Sequence, residues 1–482
     1  MKVILKHAGK WLHFSQPENV LRAESLDDVQ SMLREAEASG LFAAGFVSYE
    51  AAPAFDRALK VHSPAGFPLL CMGLFQTPEV LEEIEEQPQS SYEMGKLEPS
   101  VSKSDFMEAI AQIKERIAEG ATYQVNYTYR LNAEFRGDAW SFFCALVKGQ
   151  KTDHAAYIEV DGYAICSASP ELFFSCNNGR IVSRPMKGTA RRGRTFSEDW
   201  KQAEALRKSE KDRAENIMIV DMIRNDIGRI AEPGSVETVS KYDVEKYPTV
   251  WQMTSTVRGK SDEGIASTLS ALFPCASITG APKAKTMEII RELETSPRNI
   301  YTGSIGFMTP QGEACFNVAI RTALIEQEKG TLEFGIGGGI VWDSDAESEY
   351  EETLTKARVL TQPRPDFQLL ETMLWEPELD IFLRDEHMQR LGKSAAYFDI
   401  PLDAYSIFQG LDDARESLEA EAHKLRLLVA RDGSFEIQVF PLEDGGAQAS
   451  ATTGEQRPPL HIALANKPVD SSDVFLFHKT TH

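Results

Sequence analysis

Cysteine is scarce in this chain. Six cysteines stand among 482 residues (Cys71, Cys144, Cys166, Cys176, Cys275 and Cys315), scattered and without a CxxC pair. This pattern argues against a zinc site and against a disulfide framework, and it predicts free thiols in a reducing cytoplasm. Long hydrophobic runs are missing too. No stretch reaches the ~18 apolar residues of a membrane helix, and the start, MKVILKHAGKWLHF, lacks the apolar core of a secretory signal. A cytoplasmic protein with no membrane partner is expected. Positive charge is in deficit, with 51 Lys and Arg against 73 Asp and Glu and a net charge of −22. Such a surface repels nucleic acid, so no nucleic-acid partner is expected. A small anionic substrate would need its own basic site inside this acidic field. A nucleotide fingerprint is also lacking: FGIGGGIV at 334–341 is not GxGxxG.

What is present is the composition of a globular protein with a core, 42% hydrophobic and 26% charged. The length predicts two to three domains. Residues 78–103 read as a polar, Pro/Glu-rich connection. Phe106, Ile110, Ile113 and Ile117 share one face of an expected helix over 104–119, capped by Ser104 and stopped by Gly120. Strands are expected at 123–131, 155–160, 164–174, 180–185, 304–308, 315–325 and 332–341. Helices are expected at 197–229 and 348–360, a linker at 361–365 and a low-complexity loop at 443–459. Strands clustered with helices, without strict βαβ alternation, predict an α+β architecture.

Two expected helices carry acids three residues apart, Asp212 with Glu215 and Glu349 with Glu352. That spacing puts each pair on one helix face. Two such pairs facing each other can hold a hard cation through oxygen, Mg2+ being usual where waters and substrate complete the shell. The competing reading is a solvated acidic face. Lys187 lies between Pro185 and Gly188 on an expected tight turn. A lysine held near burial or other cations can lose its proton near neutral pH and act as a nucleophile. The competing reading is a basic surface loop. Glu171, in SPE, is a candidate base or a solvent carboxylate at a strand end. TGAPKAK (279–285) opens a helix whose free N–H groups suit an anion. Gly335, Gly337, Gly338 and Gly339 interrupt a strand, which predicts close approach of a ligand to the backbone. Arg321, in an apolar strand, needs an anion: a bidentate ligand carboxylate or an internal acid. Together these describe a pocket for a small dicarboxylate, with a metal and a lysine.

Taken in order, the segments resemble the chorismate-utilising enzymes: anthranilate, aminodeoxychorismate, isochorismate and salicylate synthases. The resemblance rests on YQVNYT (123–128), SPELF (169–173), PMKGT (185–189), AENIMIVDMIRNDIGR (214–229), SITGAPKAKTMEII (277–290), YTGSIG (301–306), IRT (320–322), GIGGGIVWDSD (335–345) and EYEETLTKA (349–357). It implies an anthranilate synthase component I-like fold with large antiparallel sheets flanked by helices. Residues 1–100 would form its N-terminal part and 101–362 its chorismate-binding catalytic region. It implies that Glu215 and Glu352 bind Mg2+, backed by Asp212 and Glu349. Chorismate's carboxylates would be held by Thr279, Tyr301, Arg321, Lys356 and the backbone of Gly337, Gly338 and Gly339. PMKGT resembles the aminodeoxychorismate branch, where a lysine replaces the alanine of anthranilate synthases. The water-activating lysine of the isochorismate and salicylate branches is Gln124 here, and a usual histidine is Gln252. The implied reaction turns chorismate and ammonia into 4-amino-4-deoxychorismate, towards para-aminobenzoate and folate. It would run through a covalent Lys187 adduct, with Glu171 moving protons. No glutaminase segment is seen, so the implied partner is a separate glutamine amidotransferase subunit. The acidic tryptophan-pocket motif of regulated relatives is not evident, and no tryptophan inhibition is expected. The competing functions are anthranilate synthase component I and a non-catalytic chorismate-binding subunit.

The C-terminal residues, 366–482, are expected to form a smaller α+β domain. They resemble the first part of a class IV PLP-dependent enzyme of the aminodeoxychorismate lyase type, through FQLLETM (367–373), FLRDEHMQRL (382–391) and FHKTTH (477–482). The resemblance implies a bifunctional fusion, with Lys479 at the position of the PLP Schiff base. The sequence stops three residues later. No competent lyase is therefore expected of this chain alone, PLP is expected only of a complete domain, and Lys479 reads as a frayed terminal lysine.

Overall fold

The computed structural model describes residues 1–64, 66–85, 91–150, 152–360, 365–418, 421–442 and 473–481. They fall into two compact units, Met1–Ala190 with Leu206–Arg364, and Arg191–Ala205 with Pro365–His482. The expected linker at 361–365, apart from Pro365, and the loop at 443–459 lie outside the described residues. Among the described residues no helix is long and apolar enough to cross a membrane.

The first unit is built on two large antiparallel sheets. One runs, in spatial order, Gly280–Ala281, Gln124–Gly137, Thr331–Ile340, Thr322–Glu326, Tyr163–Ser169, His154–Val160, Lys2–His7, Lys10–Phe14 and Glu79–Leu81. The other runs Met186–Arg191, Val250–Lys260, Arg180–Arg184, Leu172–Asn177, Ala314–Val318, Ser304–Met308, Phe42–Val47, Leu70–Phe75 and Asn19–Ala23. Strands before residue 100 pair with later ones in both sheets: Ile4 lies opposite Tyr157, and Gly45 opposite Gly306. Residues 78–103, expected as a mere connection, supply the short edge strands Glu79–Leu81, Tyr92–Met94 and Glu98–Pro99. Phe14, Phe46, Ile158, Ile305 and Phe307, drawn from both sheets, fill one buried apolar cluster. Each such side chain contributes about 1.5–3 kcal/mol through burial.

Two segments expected as single strands are each split between the sheets. The run at 164–174 gives Tyr163–Ser169 in the first sheet and Leu172–Asn177 in the second, with Pro170 and Glu171 between them. The run at 315–325 gives Ala314–Val318 in the second sheet and Thr322–Glu326 in the first. Arg321 makes that break with φ +49°, a left-handed conformation that costs a non-glycine residue roughly 1–2 kcal/mol. The two crossings hold each other. The Ala168 N–H donates to the Arg321 carbonyl at 3.0 Å, and the Val318 N–H to the Glu171 carbonyl at 3.1 Å. Both sheets bury these segments, so the apolar pattern runs on through the change of sheet and hides it.

Two helix readings are also corrected. The first helix is Lys103–Ala118, and its cap is Ser102, not Ser104. Ser102 Oγ accepts from the Asp105 N–H at 3.1 Å while Asp105 accepts from the Ser102 N–H at 3.2 Å. This reciprocal pair satisfies two amides that the first turn leaves open. The expected helix over 197–229 is two, Phe196–Lys208 and Glu210–Gly228. Ser209 divides them, because its side chain accepts from the Asp212 N–H and starts the second.

The second unit is α+β. Its sheet runs Asp380–Ile381, Leu369–Glu376, His423–Val429 and Phe435–Pro441. Helices Arg384–Phe398 and Ala404–Glu416 pack Leu391 and Ile407 onto Leu369, Leu425 and Val429. The segment Arg191–Ala205 belongs with it: the Tyr397 hydroxyl donates to the Gly193 carbonyl at 2.7 Å.

Candidate active site

The second sheet ends on Met186–Arg191, and this strand carries Lys187. The expected tight turn is therefore a strand. Its turn-like element is Gly188 at φ +93°, where an added Cβ would come 3.0 Å from the Cβ of Asp212. The glycine strand Thr331–Ile340 of the first sheet comes up to the same lysine. A Cβ on Gly339 would lie 2.5 Å from Lys187 Nζ and closer still to Gln124 Nε2. The missing side chain is what lets the amine approach the backbone.

Lys187 and Gly339 line one cavity of about 430 Å3. Its walls include Glu171, Asp212, Glu215, Tyr301, Arg321, Gly337, Gly338, Glu349, Glu352 and Lys356. Glu171 and Arg321 arrive there from the two sheet crossings, Asp212 and Glu215 from Glu210–Gly228, and Glu349, Glu352 and Lys356 from the helix Ala346–Ala357. Two expected residues stand elsewhere. Thr279 is fully buried, with its hydroxyl donating to the Cys275 and Ala276 carbonyls, while Ser277 and Ile278 face the cavity. Lys479 belongs to the other unit.

Among the described residues the Lys187 amine has no hydrogen-bond or ion-pair partner. Burial pulls its pKa down from the usual lysine value, with Glu215 opposing. Glu171 is 3% exposed, and its Oε1 has no partner among the described residues. Burial pushes its carboxyl up to about 7, against the Ser277 hydroxyl and the Lys187 charge. An acid and an amine displaced toward each other's range are suited to exchange protons near neutrality. No acid pairs with Arg321 among the described residues. Its Nη1 donates instead to Gln150 Oε1 at 2.6 Å, leaving the rest of the fork for an incoming carboxylate. The Tyr301 ring lies against Gly335 and under the guanidinium of Arg130, which sits 5.1 Å above it. Arg298, fully buried, ties the walls together. It donates to the Asn126 and Ile278 carbonyls at 2.7 and 2.9 Å and to Glu294 at 2.6 Å.

The four acids differ in environment. Glu352 pairs with Lys356 at 2.9 Å, which lowers its pKa. Lys356 also donates to the Gly337 carbonyl at 2.8 Å. Glu349 accepts from Ser344 at 2.7 Å, yet burial raises it. Glu215 is raised by burial, with Asp212 and Glu349 adding repulsion. Among the described residues no three His, Cys, Asp or Glu side chains converge to hold a metal. The donor set still fits Mg2+: it is oxygen only, and an ion that keeps waters and substrate oxygens needs few protein ligands. Lys211, on the cavity wall and charged toward Glu215, Glu349 and Glu352, went unread. Its signal was its place one turn before Glu215.

In the second unit, Lys479 Nζ lies 3.9 Å from Glu371, which also accepts from His387 at 2.7 Å and from Arg390 at 2.8 Å. The lysine is not frayed: its carbonyl accepts from the Leu370 N–H at 2.9 Å, and Thr480 bridges to Leu369. These residues supply an amine whose neighbouring carboxylate is already shared by two other side chains. They do not by themselves form a PLP site, and no step is derived through PLP.

The family described as chorismate binding enzyme matches residues 3–362. The chain belongs to the chorismate-binding enzyme family. Residues 368–482 match amino-transferase class IV. The chain is 41% identical over 266 residues to aminodeoxychorismate synthase component 1 of Salmonella typhimurium, covering 55% of this chain and 58% of that protein. It is 38% identical over 261 residues to anthranilate synthase component 1 of Aquifex aeolicus, covering 54% of this chain and 52% of that protein. The matches therefore span less than two thirds of these relatives' own length. The crystal structure of anthranilate synthase component I from Streptococcus pneumoniae superposes with a TM-score of 0.62 at 25% identity, over 75% of this chain and 90% of that one.

Proposed function

We propose that this chain aminates chorismate to 4-amino-4-deoxychorismate, on the way to para-aminobenzoate and folate, and that it draws ammonia from a glutaminase partner. The reading is carried by Lys187, an amine without a partner among the described residues, set between the two sheets beside a buried acid raised to about 7. The likeness to aminodeoxychorismate synthase component 1 supports the same reading.

Arg321, Lys356 and Tyr301 orient chorismate's carboxylates in the cavity. Glu215 and Glu352 would hold Mg2+, which when bound neutralises charge on the ring carboxylate. Neutral Lys187 attacks ring carbon C2. Both conjugated ring double bonds shift by one position, and the C4 hydroxyl leaves as water with a proton from Glu171. The new secondary amine gives up its extra proton to the Glu171 carboxylate. Ammonia then adds at C4, both ring double bonds shift back, and Lys187 departs as the free amine with the proton held by Glu171, which regains one from the new C4 ammonium group. Chorismate and ammonia thus yield aminodeoxychorismate and water. Two displacements of moderate barrier replace one difficult one.

The test is product analysis by mass spectrometry with chorismate, Mg2+ and high ammonium at alkaline pH, beside Lys187→Ala. Aminodeoxychorismate from the wild type, strongly reduced in the variant and abolished by a chelator, is the expected result. Anthranilate with pyruvate would move the chain to the anthranilate branch. Chorismate bound without turnover would leave a binding subunit.

A further inference from the structure

The strand bearing Lys187 needs support from outside itself. It is the terminal strand of its sheet, with Val250–Lys260 as its neighbour. The residue after the lysine is a glycine, the softest joint a strand can contain. Two buried carboxamides brace this joint. Gln252 Nε2 donates to the Gly188 carbonyl at 2.8 Å, and the Thr189 hydroxyl donates to Gln252 Oε1 at 3.0 Å. From the helix side, Asn216 Nδ2 donates to the Lys187 carbonyl at 3.3 Å. Its Oδ1 accepts from the Ser255 hydroxyl at 2.5 Å. Asn216 is 0% exposed and Gln252 8%.

We propose that Gln252, seconded by Asn216, is a positioning residue for Lys187: Asn216 holds the peptide that follows the lysine and Gln252 the next one, on the far side of Gly188, and so the pair sets the direction of the amine into the cavity. The proposal rests on Lys187 as the nucleophile. A carboxamide suits the task because it donates and accepts at one terminus. It also stays uncharged at every working pH, so the brace holds while neighbouring groups exchange protons. A glutamate of the same shape keeps the bond from Thr189 but sets an oxygen against the Gly188 carbonyl. A histidine spreads donor and acceptor across a ring and titrates near neutrality.

The experiment compares wild type with Gln252→Ala, Gln252→Glu, Thr189→Val and Gln252→Ala/Thr189→Val. It reads kcat and KM for chorismate with ammonium as nitrogen source, alongside thermal melting. Misplacement of a reacting group by 1 Å can cost about 100-fold, so kcat in Gln252→Ala should fall roughly 10- to 100-fold. KM should stay within about two-fold, the signature of an interaction expressed only during reaction. Thr189→Val should lose less, and the double variant no more than Gln252→Ala, since both act through one brace. If Gln252→Ala does not fold, Gln252→Glu, which matches the wild-type side chain in size, decides the question. A kcat within about two-fold of wild type, or a KM that rises as far as kcat falls, overturns the brace. Lys187→Ala run in parallel separates the two ideas. If it is fully active, the nucleophile reading fails. If it is inactive while Gln252→Ala is not, only the brace fails.

Discussion

Gly339→Ala should cripple the enzyme while leaving its fold intact. An alanine Cβ at 339 would sit 2.5 Å from Lys187 Nζ, where ordinary contact begins at 3.4 Å. The amine must then retreat by about 1 Å, and the amide of Gln124 must yield as well. Both are free ends of side chains, so stability should change by less than about 1 kcal/mol, within the range of glycine-to-alanine exchanges. The reaction is less forgiving. A 1 Å error at the nucleophile is worth about 100-fold in rate, or roughly 2.7 kcal/mol of barrier. Gly338→Ala is the control. That residue faces the opposite side of the strand, where its Cβ would meet Glu349 at 3.3 Å and Lys356 at 3.8 Å. Its rate should fall less than that of Gly339→Ala, because the ends of those side chains need give by only a few tenths of an ångström. The assay is aminodeoxychorismate formation with saturating ammonium, beside thermal melts of all three proteins. Equal rates for Gly339→Ala and wild type would refute the placement of the amine against this strand. Equal losses in both variants would refute the distinction between its faces.

Other perturbations probe the rest of the site. Arg321→Lys loses the fork that a carboxylate can bridge, and kcat/KM should fall roughly 10- to 100-fold, as for a hydrogen bond to a charged group worth about 1.5–3 kcal/mol. Steady-state kinetics with KM carrying most of that loss would agree. Glu171 has a folded pKa raised from 4.5 to about 7. Burial thus costs nothing while the acid is protonated, and stability is lost as pH rises from 4.5 through 7, by on the order of 3 kcal/mol. Glu171→Gln should flatten that part of the profile when urea unfolding is compared at pH 5 and pH 8. Glu50, also raised to about 7, contributes equally to both proteins and cancels. Ser209→Ala removes the cap of the helix that carries Asp212 and Glu215, and should cost about 1 kcal/mol in the same denaturation assay.

Much of this site was legible because its parts are local in sequence. The i, i+3 acid pairs, the glycine strand and the lysine beside Gly188 all reach one cavity. Less legible was anything created by a change of direction between sheets. Glu171 and Arg321 lie where buried chain leaves one sheet for the other, and apolar patterning is blind to that step because both flanks stay buried. The partner of Arg321 was equally hidden: sequence spacing does not bring Gln150, 171 residues away, to its guanidinium. The brace on Lys187 is of the same kind, since Asn216 and Gln252 meet the lysine strand only through the fold. Ser102 and Ser104 precede the same apolar stripe, and only the reciprocal bonds with Asp105 show that Ser102 is the cap.

The most direct test withholds the second substrate. With chorismate and Mg2+ but no ammonium, the intact mass of the protein should rise by that of chorismate less one water. Peptide mapping should place the addition on Lys187, and ammonium should discharge it as aminodeoxychorismate. Product formed at the wild-type rate by Lys187→Ala, or an adduct on any other residue, would contradict the account.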